Sequence, residues 1–299
     1  MKLTTLKQIG YLLPFMFLFH AKTSAQEKPG VFFAVTGKDA KDTSWLFGTY
    51  HLIKDSYLNE TPAVQAAFNK ASNTVVELVI DTAELAAANA KGLLQNKHLK
   101  DLLDPSFIDS LDAELKATFG QGIEQMNTLK PMTVMLTISM VELMKDNQGL
   151  IKKYSGQPLD VFFAAKTKAA KKTVKALETL MQQMDILFNS IPDEEQAKML
   201  QRFIREKEKN IQMGNELLQL YFENDLDKIY ALYQRALQST GDMDYLVSKR
   251  NNEWMKQLPA LISKQSNFIA VGALHLAGPD GLVEQLRKAG YTVIAKNLQ

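Results

Sequence analysis

Two stretches near opposite ends of the chain decide the fold: Trp45-Leu-Phe-Gly-Thr-Tyr-His-Leu52 and Phe268-Ile-Ala-Val-Gly-Ala-Leu-His-Leu276. In each, an apolar run typical of a strand leads into a glycine, and a histidine follows after two more residues. The glycines, Gly48 and Gly272, allow the backbone to turn sharply or to approach another group closely. The pattern therefore predicts each histidine just beyond the carboxyl end of a strand, where open α/β sheets bind their ligands.

Strand patterns lie mainly at the two ends of the chain, whereas the middle is helical. Apolar and β-branched runs predict strands at residues 31–35, 44–47, 74–80, 172–178, 267–272 and 291–295. Pro62, Pro105 and Pro131 are each predicted to open a helix, because proline fits the first helical turn. We therefore predict an α/β (α+β) fold. Its mixed central sheet comes from the N- and C-terminal segments, and a large helical insertion at about residues 82–265 packs around it.

The helix that begins at Pro131 is predicted to be apolar on almost every face as far as Met144. It is too short to cross a membrane, which takes roughly 20 apolar residues. We interpret it as a buried helix or the wall of a cleft. Its methionines are interpreted as core fillers rather than as a recognition surface; they are Met132, Met135, Met140 and Met144.

The first 25 residues have the pattern of a cleaved signal peptide. Lys2 and Lys7 precede an apolar run at residues 11–19, and small residues end the segment at Ala25. A membrane anchor is the alternative, but the apolar run is about half of the roughly 20 residues that a span needs. The sequence therefore predicts an exported, periplasmic or secreted protein. Residues 26–299 are predicted to form one domain with no transmembrane span.

Composition excludes several classes of function. The chain has no cysteine, which excludes disulfides, cysteine-ligated metal and a thiol nucleophile. Loss of the leader removes three lysines and leaves 32 basic against 33 acidic residues, a net charge of −1. Such a near-neutral chain lacks the basic surface that nucleic acid binding requires, so we expect no nucleic acid partner. The oligomeric state is not predicted.

His51 and His275 are candidate metal ligands, because two converging imidazoles form a natural transition-metal site. Glu77 is the candidate third ligand, since it is the one acid in the apolar run 74–80 and a buried carboxylate needs a partner. Two histidines and a carboxylate suit divalent Zn, Mn, Co or Fe. The alternatives are ordinary structural histidines and a salt bridge from Glu77 to a Lys or Arg of the insertion. His98, among polar residues, is predicted to be solvated.

The motifs L-F-G-T-Y-H-L, V-V-E-L and V-G-A-L-H-L-A-G-P-D-G-L occur in an order that resembles the TraB/PrgY/GumN family. The segments at residues 174–179 and 246–254 resemble further elements of it, so the likeness covers nearly the whole mature chain. That family includes the Tiki metalloproteases and shares a proposed fold with erythromycin esterases and ChaN-like proteins. Tyr50 departs from the pattern, in which a smaller aliphatic residue is usual, and it narrows the predicted entrance.

The resemblance implies a site made of His51, Glu77 and His275 from the two G-x-x-H motifs, together with Arg250 and Asn251. Arg250 would stabilise an oxyanion or clamp a carboxylate, with a helix-surface ion pair as the alternative. Asn251 and Glu178 are predicted to bind substrate. For Glu178, a partner of the site residues and an ordinary acid at a helix N-terminus are both open.

These residues predict an exported metal-dependent hydrolase that resembles a peptidase in its chemistry and acts on a peptide or small acyl substrate. Mn, Co or Zn would lower the pKa of a bound water and polarise the carbonyl. Whether Glu77 is a ligand or a general base is left open. The rival hypothesis is a non-catalytic envelope protein of the same fold that binds metal or haem, and a degenerate regulatory scaffold is a third. The chain has no G-x-S-x-G, H-E-x-x-H, P-loop or dinucleotide motif.

Overall fold

The computed structural model describes residues 30–240 and 243–299. Within them six strands form one sheet: β1 (Phe32–Thr36), β2 (Ser44–Thr49), β3 (Asn73–Val76), β4 (Val174–Ala176), β5 (Asn267–Gly272) and β6 (Thr292–Ala295). Their order in space is β4-β3-β5-β2-β1-β6. The first four of that series are parallel to one another, whereas β1 is antiparallel to both of its neighbours. The predicted mixed sheet from the two ends of the chain is thereby confirmed.

The pairing of β2 with β5 places the two G-x-x-H turns side by side. Gly48 lies opposite Val271 and Thr49 opposite Gly272. Both strands are almost wholly buried, as expected for parallel strands covered on both faces. Glu77 follows β3, which neighbours β5, so it reaches the same carboxyl edge of the sheet. The sequence pattern predicts Glu77 inside a longer strand, but β3 ends at Val76.

The described residues also form fourteen α-helices. Those outside the predicted insertion are α1 (Pro62–Lys70) and α14 (Leu282–Lys288). The others are α2 (Leu85–Ala90), α3 (Pro105–Phe119), α4 (Ile123–Met126), α5 (Pro131–Asp146), α6 (Gln148–Lys153), α7 (Leu159–Ala169), α8 (Leu180–Asn189), α9 (Asp193–Arg205), α10 (Lys207–Phe222), α11 (Leu226–Thr240), α12 (Ser248–Met255) and α13 (Leu258–Ile262). The predicted helix starts at Pro62, Pro105 and Pro131 are confirmed. The insertion is not purely helical, because β4 returns from it to the edge of the sheet.

Helix α5 corrects part of the sequence interpretation. Met132 and Met135 are buried in the helical core, as predicted for core fillers. Met140 and Met144, however, are 43% and 44% exposed. The helix therefore buries its first half and presents the second half at the surface, so only the N-terminal methionines act as packing residues.

Two apolar cores stabilise the described structure. The larger surrounds the sheet and contains a cluster of rings that includes Phe47, Phe163 and Phe268, with centroids 4.8–6.1 Å apart. The smaller lies among α3, α5 and α9. Among the described helices none is long and apolar enough to cross a membrane. The predicted leader, residues 1–25, lies outside the described residues.

Candidate functional site

A cavity of about 450 Å³ opens at the carboxyl edge of β2, β3 and β5. His51, Glu77, Arg250 and His275 all line it, and most of the remaining wall is aliphatic or aromatic. An apolar pocket with a few convergent polar groups is the usual form of a small-molecule or active site. The structure therefore brings the four predicted catalytic residues to one cavity.

His275 is fixed at the back of this cavity, with 6% of its side chain exposed. Asn251 donates its amide N–H groups to the carbonyls of His275 and Asp280, so its Oδ1 accepts a hydrogen bond from Nδ1 of His275 at 2.7 Å. Nε2 of His275 then accepts from Nη1 of Arg250 at 3.0 Å. The Trp254 ring packs 4.3 Å away. Burial lowers the pKa of His275 to about 4, so the ring is neutral at physiological pH.

Arg250 is the centre of a buried ion cluster rather than one member of a helix-surface pair. Its Nη2 lies 2.6 Å from Glu77 and 2.6 Å from Glu178, and its Nε lies 3.1 Å from Glu178. Its Nη1 contacts the Leu246 carbonyl as well as His275. All five guanidinium N–H groups thus have partners inside the protein. As arranged, Arg250 organises the site and has no donor left for a substrate oxyanion.

Glu77 is ionised and held on both of its oxygens. Oε1 accepts the Gly272 N–H at 2.6 Å, and Oε2 accepts from Arg250. Burial raises its pKa, but the charges of His275 and Arg250 and the Gly272 N–H more than offset this, and the pKa falls to about 2. Because His275 is charged only in acid, Arg250 is the main cation that acts on Glu77 near neutral pH, with a smaller effect of His51. The salt bridge to a basic residue of the insertion, one of the two interpretations of Glu77, is present.

The two motif glycines permit close approach at this edge. A Cβ on Gly272 would lie 3.2 Å from Oε1 of Glu77, and a Cβ on Gly48 would lie 2.8 Å from Cα of Ala273. Any side chain at Gly48 would therefore push the His275 turn away from β2. Both glycines therefore allow the backbone to approach neighbouring groups closely, as the sequence pattern indicated.

Asn251 and Glu178 hold other site residues in place. Asn251 has no exposed surface, and its amide is used on His275 and Asp280. Glu178 is 8% exposed and also accepts from Gln183 at 3.0 Å and from Trp254 at 3.2 Å. Neither side chain has a free group directed at the cavity. In this arrangement Glu178 positions Arg250 and Asn251 positions His275, and substrate contact by either stays a prediction.

His51 lies at the mouth of the cavity, and its side chain is 72% exposed. Its Nδ1 is 2.9 Å from Oδ2 of Asp160, and Oδ1 of Asp160 accepts a short hydrogen bond from the Thr49 hydroxyl. The hydrogen bond to Asp160 raises the pKa of His51 to about 8, although partial desolvation at the cavity mouth and the charge of Arg250 oppose this. Nδ1–H therefore points to Asp160, and Nε2 is the nitrogen left to exchange a proton.

Sequence reasoning missed Asp160. It follows Pro158 in the first turn of α7, a position at which acids are common for reasons of helix stability alone. Asp160 is 109 residues away from His51 along the chain. Only the 2.9 Å contact between the two side chains in the folded protein marks it as a site residue. His98, in contrast, is exposed and apart from the cavity, as predicted.

Tyr50 contributes a free hydroxyl to the same cavity. Its ring packs 5.6 Å from the ring of Tyr221, which is itself anchored by a hydrogen bond to the Gly48 carbonyl. The Tyr50 hydroxyl has no hydrogen-bond partner among the described residues, and burial raises its pKa to about 12. It therefore remains a potential donor across the physiological pH range.

The predicted metal ligands have suitable chemistry but are not arranged as a metal site. Neutral His275 and ionised Glu77 are appropriate donors, with Nε2 and Oε1 3.9 Å apart. However, the Nε2 lone pair that a metal would need faces the Arg250 guanidinium. Within residues 30–240 and 243–299 no group of three His, Cys, Asp or Glu side chains is placed to hold an ion. The described donor set therefore does not fit a metal unless Arg250 moves.

A sequence model of the TraB/PrgY/gumN family matches residues 31–295, which include both G-x-x-H turns and every residue of the site. No curated protein and no solved structure shows a significant match to the chain.

Proposed function

Since the chain belongs to the TraB/PrgY/gumN family, we propose that it is a hydrolase that cleaves an amide or ester bond of a peptide or small acyl substrate in this cavity. The observation that carries the proposal is the His51–Asp160 pair at the mouth of the cavity. A histidine oriented by a carboxylate through Nδ1, with Nε2 facing a cleft, is the arrangement of a general base.

In the proposed reaction, Nε2 of neutral His51 accepts a proton from water while the water oxygen bonds to the acyl carbon. The carbonyl π electrons move to the carbonyl oxygen. As the tetrahedral adduct collapses, the bond to the leaving nitrogen or oxygen breaks, and the imidazolium of His51 returns its proton to that atom. The products are a carboxylic acid and an amine or alcohol. Asp160 stabilises the imidazolium between the two transfers.

The Tyr50 hydroxyl is the candidate donor to the carbonyl oxygen as negative charge develops there. It lines the same cavity as His51 and has no partner among the described residues. Arg250 does not take this role, because its five N–H groups are already bonded. Removal of a donor of this kind typically lowers the rate by about a hundredfold or more.

A requirement for Mn, Co or Zn stays a prediction from the family resemblance. His275 and Glu77 would have to exchange Arg250 for the ion, and the reaction above depends only on groups of this chain. Elemental analysis of protein purified without chelator, and activity before and after chelation, measure the requirement directly. Stoichiometric metal that is lost in both His275→Ala and Glu77→Gln would establish a metal site despite the position of Arg250.

The hydrolase hypothesis is tested by the variant His51→Gln, with His98→Gln as the matched control. Both histidines are exposed, but only His51 lines the cavity. On a panel of fluorogenic peptides, amides and esters, we expect His51→Gln to lower kcat/KM by about 10²- to 10⁴-fold, the usual contribution of a general acid–base group. His98→Gln should equal the wild type, and Tyr50→Phe should lower kcat more than it raises KM.

The hydrolase proposal would be contradicted if the wild type cleaves nothing in the panel and His51→Gln behaves in the same way. Tight binding of a metal or haem by that inactive protein would then favour the capture function.

We also propose that the protein acts outside the cytoplasm, on the basis of the predicted leader at residues 1–25. Intact mass of protein recovered from the cell envelope should begin at or near Gln26. Recovery of the full-length chain from the cytoplasm alone would contradict export.

A further inference from the structure

A second cavity, also of about 450 Å³, adjoins the first. His51, Glu77 and Gln183 line both, so the site residues stand between two chambers rather than at the end of one. We call them the first and the second chamber. The His51 ring, held by Asp160, is therefore accessible from either side.

The walls of the second chamber are mainly aliphatic and come from two places. One is the segment after β3, which contributes Leu78, Val79 and Ile80, and the other is α7, which contributes Val161 and Ala165 among others. Ile80 is 52% exposed and Val161 is 40% exposed. In the first chamber the exposed Met140 has the same character. Large apolar side chains exposed along a concave surface are typical of a ligand-binding groove.

We propose that the substrate is a chain that extends on both sides of the bond to be cleaved, with one apolar segment in each chamber. The bond between the segments would lie over His51 and Glu77, two of the three residues common to both chambers. A substrate that ended at the reacting bond would leave one apolar chamber filled with water. This inference rests on the proposed hydrolase function and adds that cleavage is internal, not terminal.

The position of cleavage is the first test. The probes are a mixture of hexapeptides with acetylated N-termini and amidated C-termini, carrying random apolar residues at the four central positions. Mass spectrometry of the products should locate cleavage at least two residues from either end. Release of single terminal residues from unblocked hexapeptides, with the blocked ones left intact, would overturn the proposal.

Matched tryptophan substitutions then test each chamber. Ala165→Trp fills the second chamber, whereas Ala169→Trp makes the same change four residues further along α7, outside both chambers. Met140→Trp fills the first chamber, and Met144→Trp is its exposed control on α5. We expect both filling variants to lower kcat/KM on the blocked hexapeptides at least tenfold. The two controls should stay within twofold of the wild type.

Shortened peptides show whether Ala165→Trp loses activity because the second chamber is filled or because the variant is misfolded. Peptides that end one residue beyond the bond on the second-chamber side should be cleaved more slowly than the hexapeptides, and at the same slow rate by the wild type and Ala165→Trp. If Ala165→Trp matches the wild type on the full hexapeptides, the second chamber does not bind substrate and the proposal is wrong.

Failure of the hydrolase proposal has a different signature. If the wild type cleaves no probe, equilibrium dialysis against the same blocked hexapeptides tests the extended site alone. Retention of peptides by the wild type, and loss of retention in both Met140→Trp and Ala165→Trp, supports a two-chamber binding site without catalysis. No retention, or loss in only one filling variant, overturns the inference.

Discussion

The two G-x-x-H turns share a sequence frame but provide opposite environments for their histidines. His275 is 6% exposed, with both ring nitrogens bonded inside the protein, and burial lowers its pKa to about 4. His51 is 72% exposed, with one nitrogen bonded to Asp160, and that bond raises its pKa to about 8. One histidine is thus a fixed neutral part of a buried cluster, and the other is an exposed ring held by a carboxylate on one nitrogen.

The difference comes from the burial of His275 and from the hydrogen-bond partners of the two rings, and not from the motifs. An amide oxygen and a guanidinium face His275, whereas a carboxylate faces His51. A neutral amide adds no charge to offset the desolvation of an imidazolium, while a carboxylate favours it. Equivalent positions in a sequence repeat therefore do not imply equivalent chemistry, and the following changes test how far the two turns differ.

The largest effect on stability is expected in the buried ion cluster around His275. Arg250→Met leaves the carboxylates of Glu77 and Glu178 without their cation. Removal of one partner from a buried ion pair costs about 3–5 kcal/mol, so we expect the free energy of unfolding to fall by that amount in urea titration. Lys249→Met, the exposed neighbouring residue, is the control and should change it by less than about 0.5 kcal/mol. Equal stability of the two variants would contradict the buried cluster.

Asn251→Asp gives His275 the kind of partner that His51 has. The new carboxylate no longer donates to the His275 and Asp280 carbonyls. Because buried groups lose their partners, we expect a loss of about 2 kcal/mol in unfolding free energy. The adjacent negative charge should raise the pKa of His275 above its value of about 4, measurable by NMR titration of the ring. Asn252→Asp, exposed on the same helix, should change neither quantity.

The pH profile of hydrolysis sharpens the contrast from the exposed side. His51 acts as a base only when neutral, so kcat/KM should rise with pH, with a midpoint of about 8, and reach a plateau above it. Asp160→Asn removes the carboxylate that raises this pKa and should move the midpoint down toward 6.5. A midpoint that stays in place in Asp160→Asn would show that another group controls the rate.

The smallest effect is the contribution of the His51–Asp160 pair to stability. Because the pKa of His51 is raised in the folded state, the stabilisation is fully present below pH 6.5 and is lost as pH rises through 8. His51 is largely exposed, so loss of the pair should amount to less than about 1 kcal/mol. Urea titrations of the wild type and Asp160→Asn at pH 6 and pH 9 measure it. A larger pH-dependent difference would show that the His51 turn is held as firmly as the His275 turn.

Local patterns predicted most of the sheet and the approximate location of the site. Strand β5 begins and ends where the apolar run does, and the predicted acid Glu77 reaches the cavity. The prediction failed where neighbours decide the outcome. Nothing in the run from Pro131 indicates that Met140 and Met144 remain exposed, since that depends on how far α9 and the other helices cover α5.

The same limit applies to the roles of the site residues. The family resemblance implied that Arg250 and Asn251 belong to the site, and the structure bonds both side chains to His275. Their partners, however, lie up to 173 residues away along the chain, as for Arg250 and Glu77. The hydrogen bonds of Arg250 become visible only when these groups are brought into one cavity. One of them occupies Nε2 of His275, the atom that a metal would need.

The sequence by itself determined the mixed α/β fold, the two glycine–histidine turns at one sheet edge and the family, because apolar periodicity and short motifs are local properties. The tertiary structure alone decided that Asp160 orients His51, that Arg250 occupies the lone pair of His275, and that two chambers meet at His51 and Glu77. The physical reason is that burial, hydrogen-bond direction and the sign of neighbouring charges set the state of a titratable group. These quantities depend on residues that are close in space and distant in the chain.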